Sequence, residues 1–203
     1  MSGWSGCSRN CAPAKSQISR RLAPGRAAAR RGGLARDQKG REDMETMLIQ
    51  EFRADHQRIR GALLRLHRAI EEGDVPLVRT ILGGADTLLG AHFKFEELHL
   101  YPALSGFLGD DGVRQMFREH DSIFQGVGDL IGLAQQAAWA DPERDAALER
   151  LGLVGDHPEN CDDLCRYIER LPTAQQESLL AEVQAIRQER PAFTAYATER
   201  RIA

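Results

Sequence analysis

From residue 44 onward the apolar positions recur every three or four residues, the period of a helix with one buried face. Residues 44–72 carry Met47, Leu48, Phe52, Ile59, Leu63, Leu66 and Ile70 at that spacing and stop at "EEGD". A second segment opens with Asp74 and Pro76, residues suited to a cap and a first turn, and runs to about Leu104. A third follows the "GFLGDDG" turn, from about Asp111 to about Ala138. The fourth starts where Asp141 caps and Pro142 takes the first turn, and reaches Arg170 before Pro172. Four segments of similar length joined by short loops predict an all-α fold, an up-down-up-down four-helix bundle.

A fifth helix is predicted at "TAQQESLLAEVQAIRQER", opened by a capping box of Thr173 and Gln176. No stretch alternates apolar and polar residues with β-branched or aromatic enrichment, so no strand is expected. The predicted organisation is a basic head over residues 1–43, the bundle over 44–171, and a C-terminal helix and tail over 172–203.

Composition sharpens this division. Residues 1–36 hold eight basic residues and no acid, leaving 19 basic against 30 acidic residues in the remainder. An acidic body argues against a nucleic-acid groove. The head is rich in Arg, Ala, Gly and Ser and has little to bury, so it is expected to be disordered. Two other readings fit it: an Arg-rich organelle leader, and a natural start at Met44 or Met47. No run approaches the roughly 20 apolar residues needed to cross a bilayer, so no membrane partner is expected and the cytoplasm is the expected location. The pairs Cys7/Cys11 and Cys161/Cys165 are not zinc spacings or a disulfide framework, and Cys161 and Cys165 are expected to be thiols.

The chemistry lies in polar residues set within the apolar faces. His92 and Glu96 are four apart and project from one side of the second helix, along the stripe of Leu88 and Leu89. Alone the pair is a weak signal, but its depth is shared. Counted from the end where the four helices meet, His56, His92, His120 and His157 lie 12, 12, 9 and 13 residues in, and Glu96 and Asp162 both lie 8 in. At 1.5 Å per residue these groups occupy a layer roughly 8 Å thick. Buried polar side chains are costly unless something pairs with them, and imidazoles with carboxylates inside a helical bundle are a recurring way to hold a transition metal.

The elements "DHQRI", "HFKFEELHLYP", "REHDSI" and "DHPENCDD" resemble the hemerythrin-like, HHE cation-binding family over residues 44–171. The resemblance implies a centre of two non-haem iron ions bridged by carboxylates inside a four-helix bundle. Carried over by position, it implies His56, His92, His120 and His157 as terminal ligands and Glu96 as a bridge. The fourth helix departs from the pattern: Cys161 stands four residues after His157, where many relatives have Glu, and Asp162 stands at five, the spacing of hemerythrin itself. Five residues leave Asp162 about 140° from His157 on a regular helix, an offset that a kink at Pro158 can absorb. Asp162 is therefore taken as the second bridge in preference to Cys161.

His67 and His99 read as satisfied core or rim histidines, Tyr101, Phe93, Phe95 and Phe117 as core filler, and Glu97 as solvated. No nucleophile paired with a base and no phosphate-binding glycine loop is present, so any enzymatic role would be redox chemistry at the metal. The expected function is binding of a small diatomic, oxygen or nitric oxide, for sensing, storage or detoxification. The alternatives are iron storage, delivery or iron–sulfur repair, and a metal-free structural bundle.

Overall fold

The computed structural model describes residues 46–200, which are helical almost throughout and include no strand. The head at residues 1–43, expected to be disordered, lies outside the described residues.

Helix α1 spans Met47–Glu71, with the Thr46 hydroxyl accepting from the Ile49 amide at 3.4 Å. It ends at Gly73, whose φ of +69° puts the chain in the left-handed region. There the Asp74 and Gly73 amides bond back to Ala69 and Ile70 carbonyls, closing the helix by the glycine turn that "EEGD" foreshadows. The Asp74 carboxylate then caps α2, Val75–Phe95, by accepting from the Leu77 amide at 2.9 Å. A π-helical turn, Glu96–Leu100, continues it without a break into α3, Tyr101–Leu133. The expected turn after the second segment falls inside α3, at Gly109 (φ 67°, ψ 170°). The third segment stops at Leu133 rather than about Ala138, and the Trp139 indole N–H closes its end on the Leu133 carbonyl.

The fourth segment differs most from its pattern. Instead of one helix from Asp141 to Arg170 it forms α4, Asp141–Gly155, α5, His157–Asp162, and α6, Cys165–Ile168. Pro158 has no amide to offer the Val154 carbonyl, and the Asp156 amide takes that carbonyl instead. Helix α7, Thr173–Glu189, occupies the expected fifth segment, but without the capping box: Pro172 precedes its first residue, and the Gln176 amide group bonds the Leu171 carbonyl. Beyond it lies α8, Phe193–Arg200, where the sequence pattern gave only a tail.

Helix α1 packs on α2 and α4, α3 packs on α4, and α7 and α8 both pack on α2. Three apolar clusters fill the interior. One holds Leu48, Phe52, Leu104, Ile168 and Val183, the next Ile59, Leu89, Phe93, Ile123 and Val154, and the third Leu66, Ile70, Val78 and Leu130. The layer of polar residues falls between the first two: His56 lies between Phe52 and Ile59, and His157 between Val154 and Cys161.

One glycine is required by a close crossing. A Cβ on Gly90 would stand 2.2 Å from the Pro191 carbonyl oxygen and 2.6 Å from the Phe193 nitrogen, where the chain passes from α7 to α8. Gly83 and Gly84, on the same helix, have open space around the same position. Gly90→Ala should therefore destabilise the protein by about 1–3 kcal/mol through backbone overpacking. Gly84→Ala should stabilise it by about 0.5–1 kcal/mol through helix propensity alone. Urea unfolding of the two variants measures both, and equal effects would contradict the crossing.

Candidate metal centre

Four helical elements deliver one histidine each to a common interior layer. His56 comes from the middle of α1, His92 from the last turn of α2, His120 from α3, and His157 from the first position of α5. All four are almost wholly excluded from solvent. Their rings are close: His56 and His92 centroids are 4.8 Å apart, His92 and His157 5.7 Å, and His120 and His157 5.1 Å. Phe93 lies against His120 and stacks on His157, and Phe52 packs on His56 and His92, so apolar rings wall the layer.

Glu96 stands at the centre, fully buried. Its Oε2 is 3.4 Å from His92 Nε2, 3.2 Å from His120 Nε2 and 3.5 Å from His157 Nε2. None of these approaches is aligned as a hydrogen bond. Both Glu96 oxygens, His56 Nε2 and both nitrogens of His92 are buried without a hydrogen-bond partner. Leaving a buried polar group unpaired costs roughly 1–3 kcal/mol, more for a charged one. His92 Nδ1 is turned outward toward Asp55, but the Glu96 oxygens, His56 Nε2 and His92 Nε2 are what a cation would satisfy, and the donors fit one: imidazole nitrogens and carboxylate oxygens suit a first-row transition metal.

The electrostatics of His56, His92 and Glu96 agree with ligation, while those of His120 favour its protonated form. Burial pushes His92 down to about 3 and lowers His56 as well, keeping both imidazoles neutral with a lone pair to donate. Burial also works against the charge of Glu96, but the surrounding imidazoles, His92 and His157 foremost, outweigh it and hold the carboxyl well below its usual range. His120 is raised despite its burial because Glu96 and Glu97 flank it.

An outer ring of carboxylates fixes the ring orientations. His56 Nδ1 donates to Asp162 Oδ1 at 2.6 Å, and His120 Nδ1 donates to Glu97 Oε1 at 2.8 Å. With Nδ1 occupied, Nε2 is the atom turned inward. Asp55 Oδ2 stands 4.0 Å from His92 Nδ1, a looser version of the same pairing. Each of these acids is held by an arginine: Arg60 on Asp162 at 2.6 Å, Arg200 on Glu97 at 2.6 Å, and Arg187 on Asp55 at 2.7 Å.

Asp162, expected to bridge from within the layer, is thus placed differently. The helix does break beside Pro158, yet both Asp162 oxygens are taken, by His56 and Arg60, on the outer side of the His56 ring. Cys161 takes the inward place. A ligand atom from each of His56, Glu96, His157 and Cys161 lies within 4.8 Å of the other three. The thiol is buried, 3.5 Å from His157 Nδ1 and 3.9 Å from the Tyr101 hydroxyl, and burial together with the Glu96 charge raises it well above its usual range.

Other residues also differ from the sequence reading. Glu97 is buried rather than solvated. Tyr101 is more than filler: the π turn spends five residues where an α turn spends four, and its hydroxyl reaches His120 Nε2 at 2.8 Å. His67 is on the surface, 3.1 Å from Glu71, while His99 sits at the rim against Phe95 and Glu182. The residues missed altogether, Asp55, Arg60, Arg187, Tyr196 and Arg200, stand at sequence positions that look like ordinary helical surface.

If Asp162 orients His56 rather than ligating, Asp162→Ala should weaken metal binding by about 10–100-fold while leaving the number of ions at saturation unchanged. Titration with chelator competition measures both quantities, and a lost ion at saturation would restore Asp162 to the ligand set.

Comparisons with curated proteins and with solved structures give no match. A family model, the hemerythrin HHE cation binding domain, matches residues 47–157. The matched stretch covers more than half the chain, starts at the first residue of α1 and ends on His157, so every histidine of the layer falls within it, and the chain belongs to the hemerythrin HHE cation-binding family.

Proposed function

We propose that this protein is a non-haem iron protein on a four-helix bundle scaffold, with the metal held by His56, His92, His120, His157 and Glu96, and that it binds a small diatomic, oxygen or nitric oxide, for sensing, storage or detoxification. The observation that carries the metal reading is the cluster of buried, unpartnered donor atoms on His56, His92 and Glu96. A metal-free structural bundle would leave these atoms unsatisfied in the apolar interior.

The resemblance implies two irons. One bridge is available for them, since Glu96 offers two oxygens without partners, and the inward place of a second bridge belongs to Cys161. A single ion is the second reading. It is favoured by the 4.8 Å span of His56, Glu96, His157 and Cys161, close to the roughly 4.2 Å between opposite donors on one ion with bonds near 2.1 Å.

When bound, iron supplies a coordination position for a small neutral ligand and an electron to share with it. The residues of this chain supply the surroundings. Phe52 and Phe93 keep the layer dry, and the outer carboxylates hold the imidazoles in register. Next to the layer lies an apolar cavity of about 20 Å³, lined by Ile59, Leu89, Val127 and Val154 among others. Ile59, Leu89 and Val154 are each three residues, one helical turn, from His56, His92 and His157. A dry cavity of that size suits an apolar diatomic. Iron delivery is less well supported, because the imidazoles are buried and tied to the outer acids, which opposes ready release.

Anaerobic reconstitution with ferrous iron should load one or two ions per chain, the count separating the two readings. Nitric oxide or oxygen should then produce a visible absorption band that is lost when the gas is removed. Protein that retains no iron would refute the metal centre, and loaded protein whose spectrum ignores both gases would refute the diatomic function.

A further inference from the structure

Glu97 joins the metal layer to a helix outside the matched family region. Its Oε1 accepts from His120 Nδ1, and its Oε2 accepts from the Tyr196 hydroxyl at 2.8 Å and from Arg200 Nε at 2.6 Å. Both of the latter donors belong to α8. Arg200 also bonds Asp121, the neighbour of His120, at 2.7 Å. A second line of contact is aromatic: Phe193 stacks on Phe124 with centroids 4.4 Å apart and meets Phe93, which itself lies 4.4 Å from His120. The entry to α8 is set by the close crossing at Gly90.

We propose that α8 is a latch on the metal centre, its seating coupled to metal occupancy through Tyr196 and Arg200 acting on Glu97 and Glu97 acting on His120. The inference rests on the reading of His120 as a ligand. With α8 seated, Glu97 is a fixed, ionised acceptor, and the His120 ring is held with Nε2 inward. With α8 lifted, Glu97 loses both Oε2 donors, and its carboxylate can no longer hold the ring in one orientation. Coupling of this kind is reciprocal, so whatever factor α8 adds to metal affinity, metal must add to the seating of α8. An eight-residue helix has little stability of its own and depends on its docking contacts, which places α8 among the elements able to open locally. Tyr196 and Arg200 are positioning residues; neither touches the metal layer directly.

The test uses the full chain, with and without ferrous iron under anaerobic conditions, and reads amide exchange over residues 193–200 together with iron affinity by chelator competition. Iron should slow exchange in α8 by about tenfold or more. The double variant Tyr196→Phe, Arg200→Gln should weaken iron binding by about 10–100-fold at unchanged stoichiometry. In a Glu97→Gln background the same pair should cost less than about threefold further, because the link is already cut. Arg200→Lys, which keeps a cation for Glu97, should recover part of the loss. Gly90→Ala, which leaves every residue of the relay in place, should speed α8 exchange and weaken iron together. Exchange in α8 that is indifferent to iron would overturn the latch, as would α8 variants whose effect is equal with and without the Glu97 carboxylate. A wild-type chain that binds no iron would overturn the metal reading itself and this inference with it.

Discussion

The structure depends on one unfavourable act, the burial of a carboxylate. Glu96 stands in the protein interior at 0% exposure, ringed by imidazoles and walled by phenylalanines. An isolated ion of this kind would be strongly destabilising in an apolar medium. It is tolerated because three Nε2 atoms lie within 3.5 Å of its Oε2 and because the donors around it match a cation. Each helix of the layer must present its histidine at one depth for this to work, so the polar layer constrains the register of α1, α2, α3 and α5 more tightly than the apolar clusters on either side do. Apolar residues can be exchanged at constant volume; a misplaced imidazole leaves a buried charge unpaired.

Around this core, the chain repeats one device. An imidazole Nδ1 faces an acid, and the acid is held by an arginine from elsewhere in the fold. Arg60 serves Asp162 from α1, Arg187 serves Asp55 from α7, and Arg200 serves Glu97 from α8. The burial of these acids is partial or complete, and the ion pairs offset its cost. Two of the three arginines come from helices beyond the matched family region, so the C-terminal part of the chain is integrated with the centre rather than appended to it.

The backbone departs from regular helix at the same level. The π turn at Glu96–Leu100 lets Glu96, Glu97 and Tyr101 all reach the interior from one stretch of chain. The break at Asp156 starts a new helix on His157 and turns Cys161 inward and Asp162 outward. Both irregularities give up regular hydrogen bonding where the side chains need a placement that a straight helix does not offer.

The sequence by itself determined the helical class, the positions of α1 and α7 and the start of α2 to within a few residues, and the gathering of His56, His92, Glu96, His120 and His157. These were legible because they follow from local periodicity and from counting 1.5 Å steps along helices whose ends glycine and proline mark. The roles of Cys161 and Asp162 were not legible, since a 100° step per residue decides between inside and outside, and the break at Asp156 resets that angle by an amount no spacing encodes. Glu97 looked solvated for a similar reason: on its own helix it faces away from His92, and only α3 and α8, arriving from 23 and 99 residues further along, cover it with His120 and Tyr196. Helix α8 itself is eight residues with little periodicity of its own. Its place is set by a glycine on α2 and by ion pairs across the fold, contacts that exist only once the tertiary structure has formed.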